Sequence, residues 1–449
     1  MQAPYPHPAA RRWPRLVGLL LLLAALFPPL PPVRAASDSF TLDKARVAEL
    51  LKGRTKLVAR ARPFTLRDRR LGPLTVEPTL HPQLQRWALR LLEHTRHSRR
   101  AAIVVMEADT GRVLVLAGAR RGRPDPSVAL DASAPAASLF KMVTAAATLE
   151  KTGLEPGSTL FFTGRPHTLY RFQVRKHPRR RSRRISFKRS FAQSNNPVFA
   201  RLGIHRLGGD TLARYARALG FGRRLGFELP LGISRLAPVR DRFQVGELAC
   251  GFNRKTTISP LHAALLVSVF LNHGRLMEPF VVRRVMGDGG EVLYLGRPRS
   301  LGSLVSGPTC HKMREMFRAT VRRGTARRAF RRVRRDRVLR DKELGGKTGT
   351  LRGPDKRELF EWFAGYGLDR RSGHALAITT LVVHGRTRYD NPKRLARRML
   401  HQAFKICLRR GRYLCADRLT CGSGVKHYVA RVPGQSEAQA RADQPPRTF

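Results

Sequence analysis

Ser138-Leu139-Phe140-Lys141 sets a hydroxyl and a primary amine three residues apart, a spacing that puts both on one face of a helix. A serine hydroxyl attacks a carbonyl poorly until a base takes its proton. A lysine can be that base when burial or neighbouring cations lower its pKa. If the pair opens a helix, the free backbone N–H groups there also suit a developing oxyanion. The chemistry this points to is acyl transfer through a serine ester. A second S-x-x-K, Ser423 to Lys426, lies in the polar tail and is read as chance.

Two further groups follow in order: Ser194-Asn195-Asn196, then Lys347-Thr348-Gly349-Thr350. The first offers a hydroxyl and an amide, the second an ammonium flanked by hydroxyls, and charge-assisted donors of that kind hold a carboxylate strongly. Lys151-Thr152-Gly153 is also K-T-G, but it closes the helix of Ser138 and cannot form an opposite wall. Taken singly, Ser138 reads as an N-cap, Lys141 as a surface lysine, Ser194 and Asn196 as turn formers and Gly349 as a strand glycine. Three motifs in order outweigh those readings.

The ordered set resembles that of the penicillin-binding proteins and serine β-lactamases. The likeness extends to Ala101–Leu116 with its Asp109-Thr110-Gly111 turn, Ile185-Ser186-Phe187, Tyr215–Gly222 and Ser259-Pro260-Leu261. Gly324-Thr325-Ala326 before the third motif and Trp362-Phe363-Ala364-Gly365-Tyr366 after it also match, so the resemblance covers roughly residues 75 to 405. It implies that Ser138 is acylated, Lys141 activates it and Ser194 relays a proton to the leaving amine. Asn196 would hold the substrate amide, and Lys347, Thr348 and Thr350, with Gly349 between them, would receive the terminal carboxylate of a D-alanyl-D-alanine stem peptide. The backbone N–H groups of Ser138 and Thr350 would form the oxyanion hole. The implied activity is DD-transpeptidase or DD-carboxypeptidase, with β-lactams as covalent inhibitors. A β-lactamase and a non-turnover sensor or scaffold at the cell wall are the alternatives. No E-x-x-L-N stands between Ser194 and Lys347, so the deacylating glutamate of the class A β-lactamases is missing.

The elements that must position these residues are legible in outline. Leu84, Trp87, Ala88, Leu91 and Leu92 give helical spacing over 81–93, Ala101–Met106 and Val113–Ala117 flank a glycine turn as a hairpin, and 139–150 is rich in strong helix formers before Gly153. The middle, 191 to about 280, reads as mainly helical; 361–367 and 375–383 read as strands and 392–408 as a closing helix. Strands at both ends with helices between predict an α+β domain. The resemblance makes this an antiparallel five-stranded sheet flanked by helices, with a mainly helical subdomain.

The expected organisation is a signal peptide at 1–35, a small basic leader or pedestal at 36–80, a transpeptidase domain at 81–410 and a disordered tail at 411–449. Before residue 75 there is too little chain for a glycosyltransferase domain. Arg11, Arg12 and Arg15 precede an apolar run over 16–27, then prolines and Val33-Arg34-Ala35, the pattern of a cleavable secretory signal. An uncleaved anchor and a twin-arginine signal are the other readings. The run is shorter than the roughly 20 residues a spanning helix needs. Export to the periplasm or cell envelope permits disulfides. The five cysteines leave one thiol unpaired within the chain, and Cys407, Cys415 and Cys421 are close enough for a local bridge. No spacing suits a metal and no cofactor is implied.

The formal charge is +56, from 87 Lys and Arg against 31 Asp and Glu. Such a field attracts polyanions. In an exported protein the partner would be anionic lipid, lipopolysaccharide or wall polymer rather than nucleic acid; drift toward arginine is the plainer reading. Residues 175–189 carry nine Lys or Arg and no acid, and 322–342 carry eleven. Both read as solvated surface.

Overall fold

The computed structural model describes residues 41–177, 181–303, 305–353 and 355–410. The signal segment, Arg179 and Arg180 of the first basic run, the tail, and the expected cysteine bridge with Cys415 and Cys421 lie outside them. Among the described residues no helix is long and apolar enough to cross a membrane.

In chain order, helix α1 (Lys44–Leu50) leads into strands β1 (Phe64–Asp68) and β2 (Gly72–Pro78), helix α2 (Pro82–Glu93), and strands β3 (Arg100–Glu107), β4 (Val113–Arg120) and β5 (Arg123–Pro124). Helices α3 (Lys141–Lys151), α4 (Phe187–Ala192), α5 (Asn196–Leu202), α6 (Gly208–Ala218), α7 (Arg242–Cys250) and α8 (Pro260–Val269) make up most of the middle. Strands β6 (Val282–Met286) and β7 (Val292–Leu295), helix α9 (Gly307–Arg323), strands β8 (Lys342–Arg352), β9 (Leu359–Asp369) and β10 (Ala375–His384), and helix α10 (Pro392–Arg410) complete the frame.

The central sheet runs β8-β9-β10-β3-β4-β5, with every pairing antiparallel. It has six strands rather than the expected five. The sixth is the two-residue β5, which folds back on Ala119 and Arg120 and is too short to leave a periodicity. The α+β class stands. Strands from both ends of the chain meet where Thr380 of β10 pairs with Ile103 of β3. Residues 64–78, within the expected leader, carry no unbroken strand periodicity, yet they form a hairpin whose β2 pairs with β6 in a second sheet, β1-β2-β6-β7.

Both faces of the central sheet are covered, which is why Ala101–Met106 is a continuous apolar run instead of an alternating one. Ala102, Val104, Met106, Trp362 and Tyr366 belong to the core on the side of the helical subdomain. Ile103, Val105, Phe363 and Ile378 pack with Leu84, Leu91 and Leu92 of α2 and Met399, Leu400 and Phe404 of α10. Each leucine buried to this degree contributes about 1.5–3 kcal/mol. Between two such cores the sheet is a rigid platform for the edge strand β8.

Candidate active site

Ser138 lies in a short 3₁₀ turn, Ala137–Phe140, that runs straight into α3. The sequence spacing suggested an α-helix from 139; the tighter turn matters because residues i and i+3 eclipse in it. Lys141 is thereby aimed along the same line, and its Nζ donates to Ser138 Oγ at 2.8 Å. The turn is held from outside. Ala136 N–H donates to Thr256 O, and Trp362 Nε1 donates to the carbonyl of Pro135 at 2.9 Å. Ala137 has φ 48°, a left-handed conformation that costs a non-glycine residue free energy and persists only where the surroundings impose it.

Lys141 is completely buried. Besides Ser138 it donates to Asn196 Oδ1 at 2.7 Å and to the carbonyl of Cys250 at 2.6 Å. That carbonyl ends α7, where Gly251 (φ 68°) turns the chain left-handed. The last carbonyls of a helix have no partner inside it and carry its negative dipole end, so α7 offers the lysine an acceptor. Burial lowers the Lys141 pKa to about 8, against the raising influence of Cys250. A sizeable fraction of the amine is therefore neutral near physiological pH.

Lys347 is also fully buried. Its Nζ donates to Ser194 Oγ at 2.8 Å and to Thr348 O at 2.9 Å. Burial, and then the charge of Lys141, push its pKa well below the usual lysine value. Ser194 has φ 57°, and Asn195 caps α5 by accepting from Val198 N–H, so the S-x-N triplet is a strained loop clamped to a helix start. Thr348 shares a 2.6 Å hydrogen bond with the hydroxyl of Thr325, and Thr325 N–H donates to Ala192 O. Gly349 stands against the turn that carries Ser138: a Cβ there would lie 3.5 Å from Ala137 Cβ. Thr350 is exposed on β8.

The structure thus gathers Ser138, Lys141 and Asn196 in one hydrogen-bonded group and Ser194, Lys347 and Thr348 in another, with Gly349 against Ala137 and Thr350 next along β8. Lys151 and Thr152 end α3 and belong to neither group. Other participants left no sequence signal. Asn196 Nδ2 donates to the carbonyl of His167 at 3.1 Å, and Asn196 N–H to Pro166 O. The His167 imidazole bonds the backbone of Ser194, and its pKa is lowered by burial and by Lys141. Cys250 acts through its carbonyl, which any residue could supply; only the following glycine, at a helix end, could have marked the place.

The family model described as "Penicillin binding protein transpeptidase domain" matches residues 101–401. Among curated proteins, the chain is 27% identical over 287 residues to the peptidoglycan D,D-transpeptidase PbpA of Mycolicibacterium smegmatis, covering 56% of this chain and 57% of that one. It is 26% identical over 215 residues to the stage V sporulation protein D of Bacillus subtilis, covering 47% of this chain and 32% of that one. The chain therefore matches between about a third and just over half of these relatives' length. Among solved structures it superposes on the penicillin G acyl-enzyme complex of penicillin-binding protein A from M. tuberculosis with a TM-score of 0.56 at 21% identity, over 74% of this chain and 80% of that one. The D,D-transpeptidase domain of a peptidoglycan glycosyltransferase from Eggerthella lenta gives 0.58 at 21% identity, over 74% and 83%. At these identities the likeness establishes the fold alone.

Proposed function

Because this chain belongs to the penicillin-binding protein transpeptidase domain family, we propose that it is a serine D,D-transpeptidase acting on the D-alanyl-D-alanine stems of peptidoglycan. The observation that carries this reading is the Ser138–Lys141 pair, 2.8 Å apart, with the Ser194–Lys347 pair close enough that the charge of Lys141 bears on Lys347.

In the first half-reaction, neutral Lys141 takes the proton from Ser138 Oγ as that oxygen attacks the penultimate D-alanine carbonyl. Charge on the carbonyl oxygen falls between the backbone N–H groups of Ser138 and Thr350. One such donor is worth roughly 10²–10³ in rate. The bond to the terminal D-alanine then breaks, and its nitrogen receives a proton through Ser194, leaving Ser138 esterified. Lys347, Thr348 and Thr350 hold the terminal carboxylate. In the second half-reaction an acceptor amine gives up a proton and attacks the ester, restoring Ser138. The edge position of β8 supports binding the stem as an added strand, since an edge offers unpaired backbone groups to an extended peptide. The Arg11–Phe27 segment and Val33-Arg34-Ala35 support export to the envelope, where this substrate is found.

The test is covalent labelling. Benzylpenicillin should give a stable adduct on the peptide containing Ser138, and Ser138→Ala should remove it. Release of D-alanine from a synthetic stem, with and without an added amine, then separates transpeptidase from carboxypeptidase. Labelling that survives the substitution, or that maps elsewhere, overturns the assignment.

A further inference from the structure

Outside the two long basic runs of the sequence, the fold gathers positive charge in concave space. At one end of the central sheet a cavity of about 770 Å³ is lined by Arg99, Arg100, Arg120, Arg121, Arg123 and Glu358. A second, of about 530 Å³, is lined by Arg99, Arg352, Lys356, Arg357 and Arg386 with Asp355 and Gly385. Arg99 is common to both. These cations come from the start of β3, the β4–β5 turn, the β8–β9 hairpin and the loop after β10, so only the strand order brings them together. Nine cationic side chains face two acids across the pair of cavities.

Most of that charge is uncommitted. Glu358 accepts from Arg100 at 3.1 Å and lies 3.7 Å from Arg99. Arg100 also meets Asp131, and Arg120 meets Asp125. Asp355 accepts from the backbone of Arg357. Among the described residues no acid pairs with the side chains of Arg121, Arg123, Arg352, Arg357 or Arg386, and all five are exposed. Two of the lining residues are also held where a side chain is disfavoured: Arg121 has φ 49° and Lys356 φ 58°. A left-handed conformation is disfavoured for a non-glycine residue, so both turns keep a cation at the cavities where glycine or asparagine would be easier.

We propose that this end of the sheet is a binding site for a linear phosphate-bearing polymer, one phosphate in each cavity and Arg99 between them. Eight of the nine cations are arginines. A guanidinium presents a fork of donors that matches phosphate geometry, and several can converge on one tetrahedral group. Two pits joined by a shared wall suit a flexible chain with repeated charges. A bilayer, being flat, would meet only the rims. Arg352 stands two residues beyond Thr350 on β8, about 7 Å along the strand, so a polymer held there runs beside the proposed substrate groove.

Binding is read without turnover, by titrating the full chain with inorganic polyphosphate, orthophosphate, poly-glutamate and vesicles of anionic phospholipid. Polyphosphate should bind most tightly. The variant Arg121→Asn/Arg123→Ser/Arg386→Ser should weaken it roughly tenfold or more, with a shallower salt dependence, while Arg331→Ser/Arg332→Ser/Arg335→Ser, which removes the same charge from the second basic run, should change it by about twofold or less. Asn keeps the turn at 121 because it tolerates positive φ. If melting shows the first variant to be unfolded, Arg386→Ser alone carries the test with a smaller loss. Equal losses in the two triple variants, poly-glutamate binding as tightly as polyphosphate, or vesicles binding where polyphosphate does not, each overturn the proposal.

Discussion

Lys347 Nζ donates a 2.8 Å hydrogen bond to Ser194 Oγ although the two residues are 153 positions apart in the chain. The bond ties the sheet edge to the helical subdomain. Its counterpart, Lys141 to Ser138, is local. The charge of Lys141 adds to burial in holding the Lys347 pKa well below the usual lysine value.

The rate of acylation should follow the ionisation of Lys141. With its pKa brought down to about 8 by burial, the base is mostly protonated at lower pH, and the rate should rise about tenfold per unit up to that value and then level off. Lys141→Ala should lose about 10²–10⁴ of the rate. Lys141→Arg should be equally inert, since a guanidinium does not deprotonate. A pH profile of β-lactam acylation checks this, and a flat profile would assign the base elsewhere.

Lys347→Ala should slow acylation by orders of magnitude at every salt concentration, because a buried contact is little screened. Exposed charges lose influence beyond about 8 Å at physiological salt, so Arg331→Ser/Arg332→Ser/Arg335→Ser should leave acylation by a small β-lactam nearly unchanged. Rates at low and high salt separate the two behaviours.

Gly251 and Gly153 form a matched pair. Both have positive φ, 68° and 64°, but a Cβ at Gly251 would stand 1.8 Å from Ala137 O while one at Gly153 meets nothing within 4 Å. Gly153→Ala should therefore cost only the conformational penalty, about 1–2 kcal/mol, with acylation intact. Gly251→Ala should lower the melting temperature further and displace the turn that carries Ser138. Melting curves and penicillin labelling of the two variants would show whether the contact matters to chemistry.

Glu343, on the same strand as Lys347, contributes to stability against acid. Burial alone would raise its pKa, but hydrogen bonds from Arg370 and Tyr366 and the charges of Arg314 and Arg318 outweigh that and bring it to about 2. Its folded pKa lies below its unfolded value near 4.5. The stability it contributes is thus complete above that value and is lost as pH falls from about 4.5 toward 2. Glu343→Gln should be less stable than the parent chain at neutral pH and converge with it near pH 2 in chemical denaturation.

What was legible in the sequence follows from what leaves a local pattern. The three motifs are short strings of chemically particular side chains, and β3, β4, β9, β10, α2 and α10 carry long runs or strong periodicity, so all could be read. Residues 64–78 could not, because their strands pair with β6 some two hundred residues away and their sequence is broken by glycine, proline and arginine. Main-chain contributors such as the Cys250 carbonyl and the loop at Pro166 and His167 have no side-chain signature. The arginine-lined cavities were hidden for the opposite reason: arginine is everywhere in this chain, and only the sheet order distinguishes the ones that converge.

The junction of β10 with β3 has a consequence for the order of events during synthesis. Pairing Thr380 with Ile103 requires a chain complete through the last strand, and contacts so distant in sequence make folding slow. Ser138 and Lys141 are made early, yet Lys347 and its strand arrive late. A nascent or truncated chain ending before residue 342 therefore carries the Ser138–Lys141 pair without the strand that holds Lys347.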